Sequence, residues 1–169
     1  MSGRSITGLV DALHGADVDF VASLPDSRIA PLIELIESDD RFDHVALTCE
    51  DEGVGVCAGA YFGGRHPCLL IQNSGFLEAV NDLVTLSIFS QIPLLLLVAY
   101  RGYIGELHWY HGPVGRVTEG VIAALGIKYV VLDRPEEAQD TISRARLLAE
   151  TSSHPVVVLA TLKALGETK

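Results

Sequence analysis

The chain has 169 residues, 49% of them hydrophobic, and a formal net charge of −10 with only twelve Lys and Arg. That length suits one domain spanning residues 1–169, able to bury on the order of 70% of the surface its unfolded form exposes, and cations so few and scattered exclude a nucleic-acid partner. A mean hydropathy of +0.33 is high for so short a chain and predicts surface that becomes covered by another subunit or by self-association.

No membrane span is expected, because the longest apolar run, residues 92–99, is far below the ~20 residues that one requires. Asp11, Asp17 and Asp26 interrupt the first thirty residues, so no signal peptide is read. Cys49, Cys57 and Cys68 form an odd set without C-x-x-C spacing. They read as reduced thiols of a cytoplasmic protein, with no metal site.

In chain order, a helix near 6–13 precedes an apolar strand at 18–24, and Pro25-Asp26-Ser27 then offers polar caps for a helix at 29–36. A strand at 44–49 leads through Glu50-Asp51-Glu52 into a helix at 53–62 that is built almost entirely of small residues. A strand at 67–71, the Gln72-Asn73-Ser74-Gly75 turn and a helix at 77–89 follow, then a strand at 93–99. The helix at 117–125, the strand at 129–132, the helix at 136–150 opened by an Asp133 cap, and the strand at 155–160 complete the pattern. The strands are short and nearly continuously apolar, as strands covered on both faces are. Six of them alternating with six helices predict a three-layer α/β/α sandwich on a six-stranded parallel sheet.

Polar chemistry gathers in the loops after the strands, and in such a sheet ligands sit outside the strands' carboxyl ends. The acidic triplet lies there, beside unpaired N–H groups of a helix's first turn. Gly53, Gly55 and Gly59 each weaken that helix by about 0.5–1 kcal/mol relative to alanine, so close packing or a ligand must offset the loss. The connection from Tyr100 to Gly115 is too long for a simple turn and holds His108, Trp109, Tyr110 and His111. Gly53-Val54-Gly55 lacks the third spaced glycine of a dinucleotide loop, and no G-K-[ST] or G-x-S-x-G occurs. His14, His44, His66 and His154 sit at element edges and read as structural or exposed.

The run from Glu50 to Tyr61, followed by Gln72-Asn73-Ser74-Gly75, Ile92-Pro93, Arg101-Gly102 and Gly115-Arg116, resembles the alpha subunit of sulfopyruvate decarboxylase and the N-terminal domain of phosphonopyruvate decarboxylase. The resemblance covers nearly the whole chain. It implies the pyrimidine-binding domain of a thiamine-diphosphate enzyme, with a separate beta subunit holding diphosphate and Mg²⁺, since no Gly-Asp-Gly occurs here. In this family one glutamate hydrogen-bonds the aminopyrimidine ring and favours its imino tautomer, and the cofactor then serves as electron sink for decarboxylating a 2-oxo acid. Spacing to Val54-Gly55 and Gly59 favours Glu50 for that role; Glu52, which directly precedes a glycine, is the alternative.

The resemblance further implies that Asn73, Ser74 and Gly75 line the cofactor site and that His111 handles protons. His108 and Arg116 would meet the sulfonate or phosphonate of a small anionic substrate. After Asn73-Ser74-Gly75 the family continues with a Gly-Asn pair two positions on, whereas this chain has Phe76-Leu77-Glu78. That departure leaves two readings: a decarboxylase for sulfopyruvate, phosphonopyruvate or a related acid, or a non-catalytic subunit that stabilises a partner chain.

Overall fold

A computed structural model describes residues 2–166. Six strands, β1 (Phe20–Ser23), β2 (Asp43–Ala46), β3 (Pro67–Gln72), β4 (Leu95–Ala99), β5 (Lys128–Leu132) and β6 (Val156–Ala160), form one sheet in the order β2-β1-β3-β4-β6-β5. Every neighbouring pair is parallel, with Phe20 opposite both Asp43 and Pro67, and Leu95 opposite both Cys68 and Val156.

Helices cover both faces because alternate residues of the central strands point to opposite sides and are apolar on each. On one face Cys68, Leu70, Leu95, Leu97, Val156 and Val158 meet α1 (Ser2–Gly15), α2 (Ala30–Glu37) and α7 (Ala138–Ser152). On the other, Leu69, Ile71, Leu96, Val98 and Val157 meet α3 (Glu50–Phe62), α4 (Asn73–Glu78), the short α5 (Val80–Asp82) and α6 (Gly112–Ala124). The expected three layers are therefore present. Cys57 and Cys68 are buried as small apolar filler, and burial pushes both thiols up, that of Cys68 to about 12. No helix among the described residues is long and apolar enough to cross a membrane.

Several sequence expectations need correction. The edge strands are not covered on both faces: in β2 Asp43, Val45 and Ala46 are exposed, and in β5 the first three residues are. The helix expected over 77–89 is broken into α4, α5 and a π-helical turn at Leu83–Ile88, where the Ser87 hydroxyl donates to the Ile92 carbonyl at 2.9 Å. Gln72-Asn73-Ser74-Gly75 is no free turn, since Asn73 already opens α4. Asp133 does not cap α7; its carboxylate accepts from Thr161 Oγ1 at 2.9 Å and Lys163 Nζ at 3.0 Å. Asp26 accepts from the Arg28 N–H at 2.8 Å, an Asx turn that precedes α2 without capping it.

Crossovers run outward from β1 to β2 and back over β1 to β3, so strand order reverses between β1 and β3. In open α/β sheets ligands bind outside the carboxyl ends of the strands at such a switch point. In the core, Leu96→Ala should cost about 2–5 kcal/mol in urea-induced unfolding, while Leu147→Ala on the outer face of α7 should stay within about 0.5 kcal/mol.

Candidate active site

The acidic triplet divides its labour by helical geometry. Glu52 turns back on its own helix start: Oε1 accepts the Thr48 N–H at 2.9 Å and Oε2 the Thr48 hydroxyl at 2.8 Å. These bonds tie the residue before the Cys49 N-cap to the first turn of α3 and hold the carboxyl below its ordinary value. Asp51 is exposed and accepts the Glu52 N–H at 3.0 Å. Glu50, the first residue of α3, is half-buried and turns toward α4. Its side chain lies directly on the backbone of Gly75, where an added methyl would collide with Glu50 Cγ, Cδ and Oε1. Burial raises the Glu50 carboxyl above the usual range, and the facing Glu78 carboxyl adds to the rise.

A second group is built around Arg101, which follows β4 and is only 2% exposed. A guanidinium in that position must be paired, because an isolated buried charge is very costly. Nε donates to Glu106 Oε2 at 2.9 Å, and Nη1 to Asp26 Oδ2 at 3.3 Å. Glu106 also accepts the N–H groups of Gly102, Leu107 and His108 at 3.0–3.1 Å, so one carboxylate shapes the start of the rim loop. Burial alone would raise the Glu106 carboxyl; the Arg101 bonds and the backbone donors outweigh it and hold it at about 2. Gly102 has φ +77° and packs its backbone on Gly115 and the His111 carbonyl, leaving no room for a Cβ at either glycine. The loop therefore closes on itself, and a 3₁₀ turn at Trp109–His111 leads into α6.

His108 and His111 lie together in that turn, both half-buried, with Tyr110 stacked on His108 at a 5.2 Å ring separation and 4.5 Å from His111. Burial and the nearby Arg101 charge lower the His111 basicity, favouring a neutral imidazole. Arg116 is exposed inside the first turns of α6, which begins at Gly112 and thus earlier than the sequence pattern suggested. Asn73 faces away from the open rim. It is fully buried, donating from Nδ2 to the Arg101 carbonyl and Thr118 Oγ1, both at 2.9 Å, and accepting the Arg101 N–H at 3.2 Å. Ser74, half-buried, accepts from Gln72 Nε2 at 2.6 Å. Glu50 and Gly75 thus form one group with Glu78. His108 and His111 belong to the Arg101 group, and Asn73 ties the two together from below. Among the described residues no three His, Cys, Asp or Glu side chains cluster as a metal site.

Sequence reasoning passed over Asp26, Arg101 and Glu106 as functional supports. The signal was an arginine immediately after a wholly apolar strand, which has to find carboxylates once that strand is buried.

No family model matches the chain. It is 34% identical over 148 residues to the sulfopyruvate decarboxylase subunit alpha of Methanococcus maripaludis, covering 88% of this chain and 89% of the relative. The chain belongs to the sulfopyruvate decarboxylase alpha-subunit family. The Methanocaldococcus jannaschii subunit alpha is 33% identical over 92% of each chain. Phosphonopyruvate decarboxylase of Streptomyces viridochromogenes is 31% identical over 82% of this chain, which corresponds to only 35% of that longer protein. The 2-oxoglutarate:ferredoxin oxidoreductase of Magnetococcus marinus shares the fold at a TM-score of 0.73, with 16% identity over 98% of this chain and 29% of its own. The family's named members are thus decarboxylases, in several of which the matching unit is a separate subunit.

Because the Glu106 carboxyl is depressed in the folded chain, its stabilisation is present above the ordinary value near 4.5 and is lost as pH falls from there toward about 2. Glu106→Gln should therefore lower stability at neutral pH by on the order of 2–3 kcal/mol, and the gap to wild type should close below about pH 3. A gap independent of pH between 7 and 3, measured by urea unfolding, would refute the ionic role.

Proposed function

We propose that the chain is the pyrimidine-binding alpha subunit of a thiamine-diphosphate-dependent decarboxylase for an acidic 2-oxo acid, sulfopyruvate first and phosphonopyruvate second. One observation carries this reading: a half-buried carboxyl, raised toward its acid form, is seated on a glycine at the carboxyl-terminal rim. A carboxyl held toward its acid form is suited to share a proton with a ring nitrogen, and the missing side chain of Gly75 is what lets Glu50 lie over the start of α4. The residues present fit an aminopyrimidine. When bound, the cofactor supplies the electron sink that a 2-oxo acid needs to lose carbon dioxide.

Each remaining role follows from the chain's own side chains. Glu50 holds the proton at the ring nitrogen, a role for which Glu52 is poorly suited while its carboxylate is engaged by Thr48. Ser74 and Gly75 line the ring side, and Asn73 supports them from beneath by fixing α4 to the Arg101 backbone. His111, favoured as neutral, is suited to accept a proton, while His108 and Arg116 meet the substrate's distal anion. Diphosphate and Mg²⁺ belong to a beta subunit, as the "subunit alpha" names of the relatives imply another chain. Exposed Phe62 and Phe89, together with the uncovered Gly55 and Gly59 of α3, support a surface that a beta subunit or a second copy covers. The same reading puts the protein in the cytoplasm, where its three free thiols stay reduced.

Phe76-Leu77-Glu78 favours a second reading, a non-catalytic subunit that only stabilises its partner, because a bulky Leu and a charge stand where the family has Gly-Asn. Turnover of the mixed subunits decides between them. In the assembled enzyme Glu50→Gln should keep the fold and lower turnover 10²-fold or more, with Glu52→Gln costing much less. The reverse ranking would move the role to Glu52, and small effects from both would remove it from the triplet. Arg116→Ala should raise the Michaelis constant for sulfopyruvate or phosphonopyruvate tenfold or more, equivalent to about 1.5–3 kcal/mol for a charge-assisted hydrogen bond, and affect pyruvate far less. Equal losses on both substrates would show that Arg116 only supports structure.

A further inference from the structure

Gly75 and Glu78 are three residues apart on α4 and so share a face of that helix, which is the face that Glu50 covers. The Glu50 carboxyl rests on Gly75, and the Glu78 carboxyl stands within hydrogen-bonding reach of it. Two ionised carboxylates do not hold such a contact. A proton on one of them relieves the repulsion, and burial favours Glu50, the half-buried member of the pair, as its holder. The charges facing Glu50 are Glu78, across from it on α4, and Asp51, beside it on α3.

We propose that Glu78 is a positioning residue for Glu50: it accepts the Glu50 proton in a hydrogen bond while no ring is bound, and yields that bond to the ring nitrogen of an incoming aminopyrimidine. The inference rests on the cofactor reading above. It assigns a role to the segment in which this chain departs from the family pattern. In the free subunit the Glu50 carboxyl is held oriented and protonated before the ring arrives, so binding exchanges one acceptor for another. Glu78, released, turns its carboxylate to solvent, which its exposure permits.

The test titrates the full-length chain labelled with carboxyl-¹³C glutamate, using Glu50→Gln to assign the Glu50 resonance. The wild-type midpoint should lie above that of a free glutamic acid, and Glu78→Gln should lower it by about one pH unit, with Glu78→Ala doing the same and Glu78→Asp keeping part of the rise. In the assembled enzyme the alkaline limb of thiamine diphosphate binding should move down by the same interval. A Glu50 midpoint unchanged by both Glu78→Gln and Glu78→Ala overturns the pairing. If the midpoint moves but the alkaline limb of cofactor binding does not, the exchange is overturned. The cofactor reading fails separately, by full turnover of assembled Glu50→Gln, an outcome that would remove the exchange and leave the carboxyl pair standing.

Discussion

One buried cation, Arg101, organises the carboxyl-terminal rim of the sheet. Arg101 lies two residues beyond a fully apolar strand with nowhere to be solvated, so the chain brings carboxylates to it from two other places. Asp26 comes from the loop after β1 and Glu106 from the rim loop itself. Once Glu106 is committed, its spare lone pairs collect three backbone N–H groups and set the path of the loop toward His108. Asn73 then reads the Arg101 backbone at both its N–H and its carbonyl, which locks the start of α4 to the end of β4. The positions of Gly75, and through it of Glu50, are therefore downstream of one ion pair. Breaking such a pair from one side leaves an uncompensated charge in the interior, a larger loss than the pair's net contribution.

The layers and the parallel sheet were legible in the sequence because β1, β3, β4 and β6 are apolar on both faces, a pattern that only a doubly covered sheet satisfies. The edges were not. Val45 in β2 and Val130 in β5 look like core residues to a pattern reading, yet each sits on a strand with one neighbour and is over a third exposed. Local capping signals also misled where a tertiary partner competed. Asp133 had the right place to cap α7, but Lys163 and Thr161 offered it a charge and a hydroxyl from the chain that follows β6, and those won. The helix over 77–89 kept its apolar spacing through a π-helical turn that spacing alone does not reveal.

For the site, residue type and rim position were enough to single out Glu50, Glu52 and the two histidines, and geometry supplies what they lacked. Two glutamates two residues apart on a helix start point in different directions, so one satisfies Thr48 and the other meets α4. That split follows from the helix period and could have been argued from spacing, but the partner of Glu50 could not, because Gly75 lies 25 residues away in sequence. Likewise the closure of Gly102 on Gly115 is a backbone contact across 13 residues, visible in the sequence only as two glycines in a long loop.

The two acid groups of the rim are pushed in opposite directions by the same burial. Glu106 is desolvated but surrounded by donors, so its carboxylate is the favoured form and the loop it shapes is strongest at neutral pH. Glu50 is desolvated and faces another acid, so its protonated form is favoured, and its contribution to stability is present at low pH and lost as pH rises through its raised value. Near neutrality the fold thus keeps an ionised anchor beside a carboxyl that folding has made reluctant to ionise. A fold selected for stability alone would have replaced Glu50 with an apolar side chain over Gly75, or given it a donor as Glu106 was given. Retaining an acid with a glycine beneath it and a second acid facing it departs from what packing alone would select, and perturbed carboxyls of that kind mark candidate functional sites.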